Sequence, residues 1–220
     1  LNYKLNENSI NFSTEGQKNQ YNGFIEFKPF YLKANFDYDG ISTKSWFNEN
    51  SVLYNLIKSE LFNNENLNIN LNLKVKDIVN INELNNLFLN LVIESGDISF
   101  SDSNIMWKDD LKIYLSESLL NIDQNEIYLI GKIVIDIKDI SDFYKSFQIK
   151  KNYRKDIKEI QFDFNYNFTQ QKISFNNFEI DNKSSMNIEN FVEKFNLNEK
   201  FFNKITFKNF VNDFFKVYFG

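Results

Sequence analysis

Three stretches of this chain alternate apolar and polar residues with a strict period of two. Leu67, Ile69, Leu71, Leu73 and Val75 alternate with Asn68, Asn70, Asn72 and Lys74. Ile160, Phe162, Phe164, Tyr166 and Phe168 alternate with Gln161, Asp163, Asn165 and Asn167. Phe30, Leu32, Ala34, Phe36 and Tyr38 alternate with Tyr31, Lys33, Asn35 and Asp37. In an extended strand that period puts every apolar side chain on one face. Ile98 with Phe100, Ile105 with Trp107, Ile133 with Ile135 and Ile137, and Ile173 with Phe175 repeat it over shorter spans. Strands with one wet face point to antiparallel sheet, because parallel strands buried on both faces give unbroken apolar runs. The expected fold is mainly β with a few peripheral helices. A twisted sheet of this kind curls, giving a long curved antiparallel sheet whose apolar inner face can stay open as a groove.

Gly23, Asp39-Gly40, Gly96-Asp97, Asp109-Asp110, Gly131 and Gln170-Gln171 are the predicted breaks between strands. The short step from Phe168 to Ile173 predicts a hairpin. Helical spacing appears over Ser45–Leu61, Ile140–Phe147, Ser185–Phe195 and Lys204–Tyr218, and Asn80–Leu87 reads as a short helical turn. The last of the four carries a stripe of Phe207, Phe210, Val211, Phe214 and Phe215, expected to dock on the sheet. No Pro-, Gly- or Ser-rich linker divides the chain, and residues 1–220 read as one β-rich unit. The first residue is Leu1, so a fragment or a mature segment of a longer chain is expected.

Composition narrows the chemistry. The chain has no His and no Cys, and Arg154 is its only arginine. The commonest general acid/base, the common transition-metal ligands and the usual activator of a nucleophilic Ser are therefore missing. The abundance of Lys, Asn, Ile and Phe over Ala and Arg also reflects A/T-rich codons, so part of the shortage is genomic. No enzyme activity, metal or cofactor is expected. A net charge of −5 gives no reason to expect a nucleic-acid partner.

Individual motifs have plain readings. Asp37-Tyr38-Asp39-Gly40 lacks the remaining ligands of a calcium loop and reads as a turn. Asp136, Asp139 and Asp142, three apart, read as acidic residues at a helix start. Lys150-Lys151 and Tyr153-Arg154-Lys155 form the one basic cluster, a solvated loop or a seat for a lipid phosphate or acidic partner.

With 25 Phe and 11 Tyr in 220 residues, apolar surface is the expected working part. Phe162, Phe164, Tyr166 and Phe168, with Ile133, Ile135, Ile173 and Phe175, are the candidate lining of a lipid groove. The alternative is an ordinary core under helices. Few helices are available to cover so much strand, and a large open apolar surface marks an interaction site.

Five segments resemble the C-terminal region of AsmA-like envelope proteins: Gly96–Trp107 (GDISFSDSNIMW), Gly131–Asp136 (GKIVID), Ile140–Phe147 (ISDFYKSF), Arg154–Tyr166 (RKDIKEIQFDFNY) and Phe210–Tyr218 (FVNDFFKVY). The resemblance spans residues 20–220 and rests on pattern and word order; it carries no reactive residues. It implies a bridge-like lipid-transfer protein with a curved β-sheet and an apolar groove for phospholipid or acyl chains. It also implies support of outer-membrane biogenesis, envelope protein partners, and a periplasmic location on a tether to the inner membrane, whose helix would lie upstream of Leu1. The rival readings are a structural or adhesive β-protein with a closed core and a protein-interaction surface, and a carboxylate-only enzyme such as a glycosidase.

Overall fold

A computed structural model describes residues 2–14, 19–42, 52–79, 81–124, 126–197 and 203–220. In chain order the elements are β1 (Asn2–Leu5), β2 (Ser9–Ser13), β3 (Gln20–Phe27), β4 (Phe30–Ile41), α1 (Val52–Lys58), β5 (Asn68–Ile78), β6 (Leu84–Glu94), β7 (Asp97–Ser99), β8 (Asn104–Trp107), β9 (Leu111–Asp123) and β10 (Glu126–Ile137). There follow α2 (Ser141–Ser146), β11 (Glu159–Asn167), β12 (Lys172–Ile180), α3 (Met186–Leu197) and α4 (Lys204–Phe219). The twelve strands form a single sheet in sequence order, with β7 and β8 sharing the gap between β6 and β9. The chain is mainly β with few helices, as the alternation predicts.

The sheet is mixed, which corrects the antiparallel expectation. β4 and β5 run parallel, Tyr31 to Ile41 beside Asn68 to Ile78, while the other neighbours pair antiparallel. Alternation reports how many faces are wet and carries no information on strand direction. Parallel neighbours need a long crossover, and α1 lies within the one here.

Three strands carry a residue of positive φ where the ladder slips: Asn86 in β6, Glu117 in β9 and Asn177 in β12. At each bulge the inward residues change parity. Leu111, Ile113 and Leu115 are followed by Ser118, Leu120 and Ile122; Ile173 and Phe175 are followed by Phe178 and Ile180. The bulge in β6 puts Leu84 and Leu87 three apart, a spacing that reads as helix; of the helical turn expected over Asn80–Leu87, Asn80 lies outside the described residues and the rest is a turn leading into a strand. Gly131 serves the bulge in β9: a Cβ there would meet the Ser118 Cα at 2.7 Å. Gly23, Gly40 and Gly131 all lie inside strands and are not breaks, and Asp37-Tyr38-Asp39-Gly40 is strand, with Asp37 opposite Lys74. Gly96, at φ 86, does sit in the turn before β7.

The other helices fall close to their predicted spans. Asp139 accepts the Ser141 N–H at the start of α2, and Asn203 caps α4 by accepting from Ile205 N and Thr206 N. Of the helix predicted over Ser45–Leu61, residues 45–51 lie outside the described residues, and α1 occupies part of the rest.

The apolar face of the sheet holds three connected clusters. Tyr54 and Ile57 of α1 pack with Ile69, Ile93, Ile98, Leu120 and Ile127. Leu73, Val75 and Ile78 gather Phe36, Tyr38, Leu87 and Ile105. The largest cluster joins β10–β12 to α2, α3 and α4. On the opposite face the Asn35 amide donates to Asn22 and the Asn72 amide donates to Asn35 and Asn70, a polar ladder across β3, β4 and β5.

Candidate functional site

Strands β10, β11 and β12 bring most of the predicted groove residues side by side. Ile133 stands opposite Phe162, Ile135 opposite Ile160, and Phe164 between Gly131 and Phe175. Tyr166 pairs with Leu129 on one side and Ile173 on the other.

Over this surface the chain returns as α2 and α4. The stripe predicted in α4 faces inward: Phe210, Val211, Phe214 and Phe215 are buried. Aromatic edges and faces lock it to the sheet and to α2. Phe210 lies 4.9 Å from Phe175, Phe214 5.4 Å from Phe178, and Phe215 5.1 Å from Tyr144 (ring centroids). Such pairs add roughly 0.5–1.5 kcal/mol each beyond the area they bury. The Asn212 amide donates to the Phe147 carbonyl at 2.9 Å and ties α4 to the end of α2.

Between these layers lies a cavity of about 310 Å³. Trp107, Ile113, Ile133, Ile135, Phe162, Ile173 and Phe175 line its sheet side; Phe143 of α2 and Phe207, Phe210, Val211, Phe214 and Phe215 of α4 line the helix side. Among the described lining residues only Trp107 has a polar side-chain atom; its indole N–H is buried without a hydrogen bond, and the cavity surface itself is apolar. Ile133, Ile135, Phe162 and Ile173 are half-buried, whereas Phe175 is buried.

Five of the eight predicted residues therefore line the cavity: Ile133, Ile135, Phe162, Ile173 and Phe175. Phe164 is buried in the core beside it, only 6% exposed. Tyr166 and Phe168 sit further along, ring centroids 4.8 Å apart, and Phe168 packs against the α1 cluster. Phe178 is a lining residue the alternation hides, because the bulge at Asn177 moves it inward to stack on Phe162 at 4.6 Å. The spacing of three between Phe175 and Phe178 is the trace such a bulge leaves in sequence. Trp107 and Ile113 lie on strands remote in sequence and are missed for that reason.

The charged groups are elsewhere. Asp142 accepts from Lys145 at 2.9 Å and Lys108 at 3.3 Å, and these two lysines hold its carboxyl below the usual range. Glu126 takes hydrogen bonds from Tyr128, Gln170 and Asn167, which lower its pKa. Tyr144 is pushed up to about 12 by burial, while its hydroxyl donates to the Lys155 carbonyl at 2.6 Å. Among the described residues no group of Asp and Glu is placed to hold a metal ion, and no helix is long and apolar enough to cross a membrane.

Comparison with family models, curated proteins and solved structures finds no match to this chain.

Proposed function

We propose that this chain is a non-enzymatic lipid-handling protein of the bacterial envelope, which takes acyl chains of phospholipid onto the apolar face of its sheet. The observation that carries the reading is the cavity between β8–β12 and the helices α2 and α4, whose lining among the described residues is apolar throughout. A cavity of this kind stays dry and accepts apolar ligands. At roughly 30 Å³ per heavy atom, about 310 Å³ holds on the order of ten methylenes. At ~0.8 kcal/mol each their transfer is worth about 8 kcal/mol before ordering costs. That limits the affinity for a single chain to about micromolar. The periplasmic location, the tether and a role in outer-membrane biogenesis come from the AsmA-like resemblance and are part of the same proposal.

The rival is a structural or adhesive β-protein with a closed core, favoured by the burial of Phe164 and Phe175. Two measurements separate them: mass spectrometry of lipid extracted from the purified protein, and titration with a fluorescent fatty acid. Lipid binding requires a saturable probe affinity that Ile133→Trp weakens at least tenfold, since the added ring fills the cavity at a half-buried position. A protein that carries no lipid and takes up no probe is the closed-core protein.

A further inference from the structure

We propose that the loop joining α2 to β11 docks on an anionic lipid bilayer and so presents the cavity end of the molecule to the membrane. This rests on the lipid-handling reading above. From Gln148 to Lys155 the chain carries Lys150, Lys151, Arg154 and Lys155 and no carboxylate, in a protein whose net charge is −5. The loop is held in one shape. Ile149 and Ile157 anchor its two ends in the core, at 1% and 4% exposure. Between them runs a 3₁₀ turn, Lys151–Tyr153. The Arg154 Nε donates to the Ile149 carbonyl at 2.7 Å across the loop, and the Tyr144 hydroxyl holds the Lys155 carbonyl. Lys150, Lys151 and Lys155 are exposed, and among the described residues none of the four cations is paired with a carboxylate. Nearby acids are engaged or few: Asp142 holds Lys108 and Lys145, Asp181 accepts the Lys158 and Glu159 N–H groups, and Asp156 alone is exposed at the loop end.

Position selects a bilayer over other polyanions. The loop connects α2, which contributes Phe143 to the cavity, to β11, which contributes Ile160 and Phe162. It also lies against the end of α4, where Lys155 stands 4.9 Å over the Phe219 ring. A basic surface there meets the phosphates of the leaflet whose acyl chains the cavity would accept. Each lysine held near an anionic surface contributes about 1 kcal/mol and is screened within a Debye length.

The test is flotation of the full chain with vesicles of phosphatidylcholine alone and with phosphatidylglycerol added, at low and high salt. The wild type is expected to float with the anionic vesicles only, and less at high salt. Lys150→Gln/Lys151→Gln/Lys155→Gln should weaken that binding about 100-fold while fatty-acid probe binding and melting temperature hold. Lys74→Gln/Lys76→Gln on β5 should float like wild type. Ile133→Trp should lose the probe and still float, which keeps failure of this proposal distinct from failure of the cavity reading. Equal binding to neutral vesicles, or a triple variant that floats normally, overturns the proposal. So does binding of the loop to soluble polyglutamate with none to vesicles, which would assign it to an acidic protein.

Discussion

Phe164→Asp tests whether the centre of β11 is core or open groove. Phe164 is 6% exposed, flanked by Gly131 on β10 and Phe175 on β12, and belongs to the cluster that includes α3 and α4. Losing a buried ring costs about 3–5 kcal/mol. The new carboxyl stands among buried apolar side chains; left without partners it adds about 1–3 kcal/mol. The sum, ~4–8 kcal/mol, is comparable with the 5–15 kcal/mol that holds a domain folded. For a chain of this size ~2–4 °C of melting temperature goes with each kcal/mol, so a drop of about ten degrees or more is expected.

The substitution also has a pH signature. Burial raises the carboxyl pKa in the folded state above its unfolded value. The folded state then binds the proton more tightly, so the variant is least unstable below the unfolded pKa and loses stability as pH rises through the folded one. The companion Ile133→Asp, at a half-buried position on the cavity wall, should cost clearly less, because it removes a smaller side chain that is less buried. Urea denaturation of both variants at acid and neutral pH reads the two effects. A Phe164→Asp protein within about 1 kcal/mol of wild type at neutral pH would mean that water reaches this face, and the packing of α3 and α4 over β11 and β12 would be refuted.

Two further outcomes follow from polar contacts. The Asn196 side chain closes part of the free edge of β12: it accepts from the Phe175 N–H at 3.0 Å and donates to the Phe175 carbonyl at 2.8 Å, as a neighbouring strand would. Asn196→Ala should cost about 1–2 kcal/mol and expose an edge that can pair with another chain; an unchanged melting temperature with no association by light scattering would show that α3 shields the edge without the amide. Glu126 is held ionised by hydrogen bonds from Tyr128, Gln170 and Asn167, so its folded pKa lies below its unfolded one. Its contribution is present above the unfolded carboxylate pKa and is lost as pH falls through the lowered folded value. The stability gap between wild type and Glu126→Gln should therefore be open at neutral pH and close in acid, and a gap that is constant with pH would rule the charge out as its cause.

The legible part of this fold is what a local period can encode. Leu67–Val75 and Ile160–Phe168 alternate without interruption, and all but Leu67 and Phe168 lie in β5 and β11 with the apolar residues inward. The interrupted strands were harder to read. In β9 the bulge at Glu117 splits Leu111, Ile113 and Leu115 from Leu120 and Ile122, so neither half is long enough to stand out. In β6 the same device imitates a helical spacing. The direction of β5 against β4 depends on how a segment of the crossover returns, and no residue of either strand encodes it. The cavity is less legible still. The stripe of α4 announces that Phe210, Val211, Phe214 and Phe215 need cover, and the alternation of β11 says the same of Phe162, but neither names its partner. Two aromatic surfaces of large, flat side chains meet without interdigitating completely, as the rings at Phe143, Phe175, Phe207 and Phe210 around one void illustrate. A chain with one Ala and 25 Phe has few small side chains with which to fill such a gap. The composition that makes the core aromatic is therefore also a cause of the space within it, and selection for an apolar guest would need only to leave that space unfilled.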